Sequence, residues 1–453
     1  MISLLLLSLV FTQAAPAPTV PPTALSQAWE SEHQDYGPTP LLDHAALQPW
    51  LARAVKEAGG LITIEEIGRS VEGRSISHLT IGRGPFHVLL WSQMHGDEAT
   101  ATSALLDILT YLTRHRSAPE VSRLLDALTL HVVPMLNPDG AQRFQRRNAQ
   151  GIDINRDALL LQTPEGRALK ALRDRLNPSL GFNLHNPGWR TSAGKSGKPA
   201  SISLLAVAFD EARTETPGRV LAKKTCTVIR SALEPFIPGQ VARYDDEFEV
   251  RAFGDNVTKW GTPVVLIETG PLAGERADRE LVRLNFVAIL SALDAVASGS
   301  VHQADAAAYE KLPINESGIF TVLVKGATIA PGTGIAPFLG DVGLTSSRVV
   351  RPADKGGPRR AVQAMRIEDL GDLRVFTGLE TIEATGLVLA PNAGWKAGES
   401  VAMPEWGAFQ SKQTIVTGAA LDLALLKETA KGTYRVERII PAETPLGGER
   451  KPD

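Results

Sequence analysis

The sequence predicts an α/β fold for residues 42–303, a mostly parallel sheet covered on both sides by helices, followed by an all-β domain of sandwich or barrel type over 312–445. Three observations carry this. Apolar runs at 87–93, 129–136, 180–185, 202–209 and 262–268 show no alternation, which marks strands buried on both faces. Amphipathic stretches at 99–115, 167–175, 217–233 and 278–297 separate them, as helical crossovers would. Beyond Ser300, short β-branched runs at 319–324, 373–376, 382–388, 413–416 and 433–440 are broken by glycine and proline, with few helical stripes. At 453 residues the chain also exceeds the size at which one core keeps growing, so two domains are expected.

Residues 1–15 (MISLLLLSLVFTQAA) form an apolar run too short to span a bilayer and lead into small residues. This is the pattern of a cleaved signal peptide without its basic start, and it predicts a secreted or periplasmic protein. Residues 16–41, rich in Pro, Thr and Ser, read as an extended leader. A helix at 46–58 and strands at 61–66 and 77–82 precede the first buried strand. In the helix at 99–115, Leu105, Leu106, Leu109 and Leu112 share one side. The strand at 129–136 ends in the turn Asn137-Pro138-Asp139-Gly140.

No other run of about twenty apolar residues is present, so no transmembrane span is expected. The 47 basic and 50 acidic residues nearly cancel, which argues against nucleic-acid binding through a basic surface. Cys226, the single cysteine, excludes an intrachain disulfide and a thiolate metal cluster.

The chemistry concentrates at strand ends, where ligand sites of such sheets lie. His95-Gly96-Asp97-Glu98 follows one buried strand and His185 ends another. A histidine and a carboxylate three residues apart, completed by a remote histidine, give Zn2+ three protein ligands and leave a fourth position for water. Asp97 competes with Glu98 as the carboxylate, or else orients His95 from behind. His131, inside an apolar strand, reads as a hydrogen-bonded core residue, and the other histidines lack partners that would complete a site. The segment 146–156 (RRNAQGIDINR) supplies arginines, whose planar forks suit a substrate carboxylate and a developing oxyanion. Glu268 ends a buried apolar strand, where a carboxylate is rare unless paired or functional. Beside a metal-bound water it would act as general base and acid.

HGDE at 95–98, NPDG at 137–140, RRNAQGIDINR at 146–156, Leu184-His185 and Ile267-Glu268-Thr269-Gly270 occur in one order, and together they resemble the zinc carboxypeptidase family over roughly residues 40–300. That resemblance implies an α/β fold with a twisted mixed, mostly parallel sheet flanked by helices, and His95, Glu98 and His185 as zinc ligands. It further implies Asn155 and Arg156 as the pair binding a C-terminal carboxylate, Arg146 as the residue facing the scissile carbonyl, and Glu268 as general base and acid. The expected partner is a peptide with a free C-terminal carboxylate. Tyr244 matches the family's substrate-capping tyrosine only approximately, and Asp255 or Phe253 would line the side-chain pocket.

Two other readings stand beside this one. An N-acyl amino acid deacylase, similar to aspartoacylase, uses the same fold with an HxxE and a late histidine. An inactive binding protein would use the β-rich tail, where Trp395 and Trp406 offer sugar or partner contacts but more often serve as core in small β domains.

Overall fold

The structure, a computed structural model, describes residues 19–34, 41–274, 276–352, 359–403 and 405–446. The expected signal at 1–15 lies outside them. Helices α1 (Pro22–Glu32) and α2 (His44–Ala58) precede strands β1 (Ile62–Arg69), β2 (Ser75–Gly82) and β3 (Phe86–Trp91). There follow α3 (Thr100–Arg114), α4 (Pro119–Ala127), β4 (Leu128–Val133), α5 (Pro138–Arg143), α6 (Pro164–Leu176), β5 (Leu180–His185), β6 (Thr191–Ala193) and β7 (Ile202–Ala206). The remainder of this part comprises α7 (Pro217–Leu233), β8 (Val241–Arg243), α8 (Phe253–Lys259), β9 (Val264–Thr269), α9 (Ala277–Ser298) and α10 (Ala306–Glu310).

Eight strands make one sheet in the order β1-β2-β4-β3-β5-β9-β7-β8. The central β4-β3-β5-β9 pairings are parallel, whereas β1, β2 and the β7–β9 pairing bring antiparallel edges. The absence of alternation in the central strands has a direct cause. In β3, Val88 and Leu90 enter one core with Leu105, Leu124, Ala222 and Leu281 from α3, α4, α7 and α9. Leu89 and Trp91 enter a second core with Leu169, Leu172 and Val257 from α6 and α8. Both faces of each strand are therefore apolar.

Helix α9 is long and apolar enough to cross a membrane, yet its most apolar window is 78% buried within the fold. It serves as a core helix, with Asn285 bonded to Thr269 Oγ1 at 2.9 Å. Cys226 is buried in α7, and burial pushes its thiol well above the usual range.

The stretch read as an extended leader is corrected by α1. Pro22 sits in the first turn, where its missing N–H costs nothing, and Leu25 and Trp29, four apart, are buried against α3 and α9. The proline-rich composition hid this short amphipathic stripe.

The strands after α10 are β10 (Asn315–Ser317), β11 (Ile319–Ile329), β12 (Phe338–Arg351), β13 (Arg360–Gly371), β14 (Thr377–Glu383), β15 (Leu387–Pro391), β16 (Ser400–Ala402), β17 (Leu423–Ala430), β18 (Thr433–Ile440) and β19 (Glu443–Pro445). Nine form a sheet with the path β16-β18-β17-β15-β11-β12-β13-β19 and β14 beside β11. Residues from strands far apart on this path, such as Ile440, Leu425, Val324 and Ile367, share one core, so the sheet curls around itself. Trp406 packs edge-on against Tyr434 and Phe409 in a smaller core, which Trp395 joins. A two-stranded ribbon of β6 and β10 ties the two sheets' domains together.

Three histidines on β2, β4 and β3 form a chain that the sequence did not disclose. One set of tautomers satisfies it: His78 Nδ1 donates to Glu65 (2.8 Å), His131 Nδ1 to His78 Nε2 (3.1 Å) and His87 Nδ1 to His131 Nε2 (2.9 Å). Burial, and then the neighbouring His78 and His87, lower the His131 pKa to about 4. Between pH 6.5 and 4 the unfolded chain therefore binds a proton that folded His131 refuses, and stability falls as the pH falls through that window. The loss at this residue approaches about 3 kcal/mol near pH 4. Urea unfolding at pH 7, 5.5 and 4.5 reads it, and equal midpoints would refute the account.

Candidate metal centre and active site

Three loops at the carboxyl ends of β3, β4 and β5 are locked together before any chemistry is considered. Gly96 lies so close to the turn after β4 that a Cβ on it would fall 2.0 Å from the Gly140 carbonyl carbon. Only glycine fits. Asn137 fastens the assembly: its Oδ1 accepts from Gly140 N (2.9 Å), and its Nδ2 donates to Met94 O (3.3 Å) and Arg146 O (3.2 Å). Gln93 takes a left-handed φ of 45° and donates through Nε2 to Gly96 O at 3.1 Å. A left-handed non-glycine residue this close to the cluster is backbone strain held by its surroundings.

On this frame His95, Glu98 and His185 converge, each with a ligand atom within 4.8 Å of the others. Both histidines point Nδ1 inward. His95 Nδ1 lies 2.8 Å from Glu98 Oε1, His185 Nδ1 lies 2.8 Å from Glu98 Oε2, and the two Nδ1 atoms are 3.1 Å apart. Two ring nitrogens at that separation, facing one carboxylate, suit a shared cation. Tetrahedral zinc with nitrogen ligands has ligand atoms about 3.3 Å apart. Asn186 N, next along the chain, holds Glu98 Oε2 at 3.1 Å.

Behind His95 stands a residue to which the sequence reading gave no role. Asp153, 7% exposed, accepts from His95 Nε2 (3.1 Å) and from Arg146 Nε (3.0 Å). Burial raises its pKa, but His95 and Arg146 bring it well below the carboxylate range. It is thus the carboxylate that orients His95, a task the sequence offered to Asp97. Asp97 Oδ1 instead is buried without a partner, and burial raises its pKa. A carboxylate inside the 146–156 segment was the available signal. Asp153→Asn is expected to weaken zinc affinity by about 10- to 100-fold, measured by competition with a chelator. Unchanged affinity would contradict the orienting role.

Arg146 and not Arg147 reaches the cluster. Its Nη1 lies 3.1 Å from His95 Nδ1 and 3.4 Å from Glu98 Oε1, while Arg147 bonds the Gly151 carbonyl. Asn155 spends its Oδ1 on Phe253 N (2.9 Å), which leaves its amide N–H groups for a ligand. Arg156, about one-third exposed, pairs with Glu249 at 3.3 Å. Of the two pocket candidates, Phe253 is fully buried in the core, edge-on to Trp260, and Asp255 alone is partly exposed. Burial lifts the Asp255 pKa to about 7.

Parallel pairing of β5 and β9 sets His185 directly beside Glu268. Glu268 is 8% exposed, and its Oε2 is buried with no partner. Burial, reinforced by the Glu98 charge, raises its pKa well above the carboxylate range. For Glu98, burial is overcome by His95 and His185, which hold it low. Two neighbouring carboxylates whose pKa values are driven apart are suited to different tasks. Tyr244, next to β7, has its pKa raised to about 12 by burial and then by Glu268.

A mixed α/β sheet here carries at its strand ends a buried His–Glu–His cluster that could hold a metal ion. Residues 47–199 match the sequence model of the zinc carboxypeptidase family. That segment holds His95, Glu98, Arg146, Asn155, Arg156 and His185, and Glu268 lies beyond it. Carboxypeptidase M of Mus musculus is 28% identical over 128 residues, 24% of this chain and 29% of that protein. Carboxypeptidase 2 of Trichophyton tonsurans is 32% identical over 127 residues, 26% of this chain and 23% of that one. The chain thus spans under a third of the length of these curated relatives. Among solved structures, a metallo-carboxypeptidase from Burkholderia cenocepacia aligns with a TM-score of 0.46 at 18% identity, covering 57% of this chain and 68% of that chain.

Proposed function

We propose that the protein is an exported zinc metallocarboxypeptidase that removes the C-terminal residue of peptides. The observation that supports this most is the convergence of His95, Glu98 and His185 beside a partnerless, buried Glu268. Zinc, held by those three residues, would supply Lewis acidity toward the scissile carbonyl and acidify a water. Glu268, whose pKa is raised by burial and then by the Glu98 charge, takes the proton of the attacking water and delivers it to the leaving nitrogen. Arg146, anchored through Nε to Asp153, turns the rest of its guanidinium toward the oxyanion. Asn155 and Arg156 hold the substrate carboxylate and so fix which bond is cut. Asp255, near enough to Arg156 to feel its charge, favours a basic terminal side chain once it is ionised.

The test is a panel of blocked dipeptides, their C-terminal amides and N-acetyl amino acids, each with and without chelator. Free peptides are expected to be cleaved about a hundredfold better than amides, the loss of a charge-assisted bidentate contact. Equal cleavage of both would overturn the carboxypeptidase reading. Preferential turnover of N-acetyl amino acids would favour the deacylase, since Asn155 and Arg156 serve any substrate with a free carboxylate. Export, argued from residues 1–15, is tested by the N-terminus of protein recovered outside the cytoplasm.

A further inference from the structure

A cavity of about 490 Å³ lies between the two domains and begins two residues after His185, at Pro187. One wall is the 187–191 loop with Trp189 and Arg190, together with Tyr244. Tyr244 N bonds Leu204 O, and Leu204 is paired with Ile267, the neighbour of Glu268, so this wall adjoins the reacting groups. The opposite wall is the β domain. In β12 and β13, Val342, Leu344, Met365 and Ile367 turn into the β core, which leaves Thr345, Ser347 and Arg366 on the polar face toward the cavity. Thr345 and Arg366 are register partners.

The wall is fixed and positively charged. Arg348 of β12 stacks on Trp189, its guanidinium 4.4 Å from the ring, and pairs with Asp278 of α9, so both domains pin the loop. Arg190 Nη1 reaches Glu368 Oε1 at 2.8 Å, and Arg366 Nη2 reaches Glu368 Oε2 at 3.3 Å. Two guanidiniums share one carboxylate, and Arg366 is 62% exposed. One positive charge is therefore left over for a ligand. Among the described lining residues the charged ones are Arg190 and Arg366. The cavity shares no residue with the group of Arg146, Asn155 and Arg156.

We infer that the β domain supplies a binding site for the residues preceding the terminal one, and that its Arg366 selects peptides with a carboxylate side chain there. This rests on the carboxypeptidase reading above. The experiment compares the full-length protein with Arg366→Glu and Ser347→Trp. Substrates are a blocked dipeptide and longer blocked peptides of the same last two residues, preceded by Glu, Gln or Lys. The wild type should cleave the Glu peptides about fivefold better than the Lys peptides in kcat/KM, as one partly exposed ion pair allows. Arg366→Glu should reverse that order, Ser347→Trp should slow the longer peptides, and neither should alter dipeptide turnover. Equal wild-type rates for Glu and Lys peptides, or an order unchanged in Arg366→Glu, would overturn the inference while dipeptide cleavage keeps the carboxypeptidase reading. If the dipeptide is not cleaved, that reading fails by itself. Fluorescence polarisation of a labelled Glu-rich peptide then decides the cavity: weaker binding to Arg366→Glu supports the site, and equal binding removes it.

Discussion

Glu268→Gln is expected to lower kcat about a thousandfold while the protein keeps its zinc and its fold. The magnitude is that of removing a positioned general base. The amide has nearly the same shape and is tolerated at a site where the native Oε2 has no partner, so the β5–β9 pairing that sets it beside His185 should persist. KM should change little, because Glu268 is not among the groups assigned to the substrate carboxylate. Metal content and kcat measured on one preparation separate the possibilities. Zinc retained with kcat unchanged would remove Glu268 from the mechanism, and zinc lost with kcat would make it a ligand.

Gly96→Ala should be more damaging to the fold than any single change of a charged site residue. The added methyl would sit 2.0 Å from the Gly140 carbonyl carbon and 2.2 Å from Ala141 N, both backbone atoms that cannot rotate away. Relief requires the loop between His95 and Glu98 to move off the turn after β4, which separates the metal ligands. A loss above about 3 kcal/mol is expected from such overpacking, together with failure to retain zinc. Denaturant unfolding and metal analysis of the variant check both parts. A stably folded, zinc-replete Gly96→Ala protein would mean the two loops are not locked as described.

The strands and the residues that cluster at their ends were legible because residue type and local pattern coincide there. Val88 to Trp91 is apolar without alternation, and both cores claim it. His95, His185 and Glu268 stand at strand ends, where polar groups in such runs call for a reason. Asp153 escaped because its meaning depends on the 146–156 loop folding back beneath His95, which spacing along the chain does not encode. Helix α1 escaped because prolines at its start mask two buried residues four apart. The choice between Phe253 and Asp255 required burial to be seen, since either residue type suits a pocket. The inter-domain cavity was beyond reach for a further reason. It is made by packing one domain's loop against another domain's sheet, and no local pattern reports such packing.

Asn137 has a consequence of its own. A single carboxamide grips the loop that carries His95, the turn of Gly140 and the backbone of Arg146. In the proposed mechanism, retention of the metal and stabilisation of the reacting carbonyl both depend on this one side chain, and its displacement is expected to degrade both. A change at Asn137 thus moves both properties together, and so does a change at Asp153, which bonds His95 and Arg146 alike.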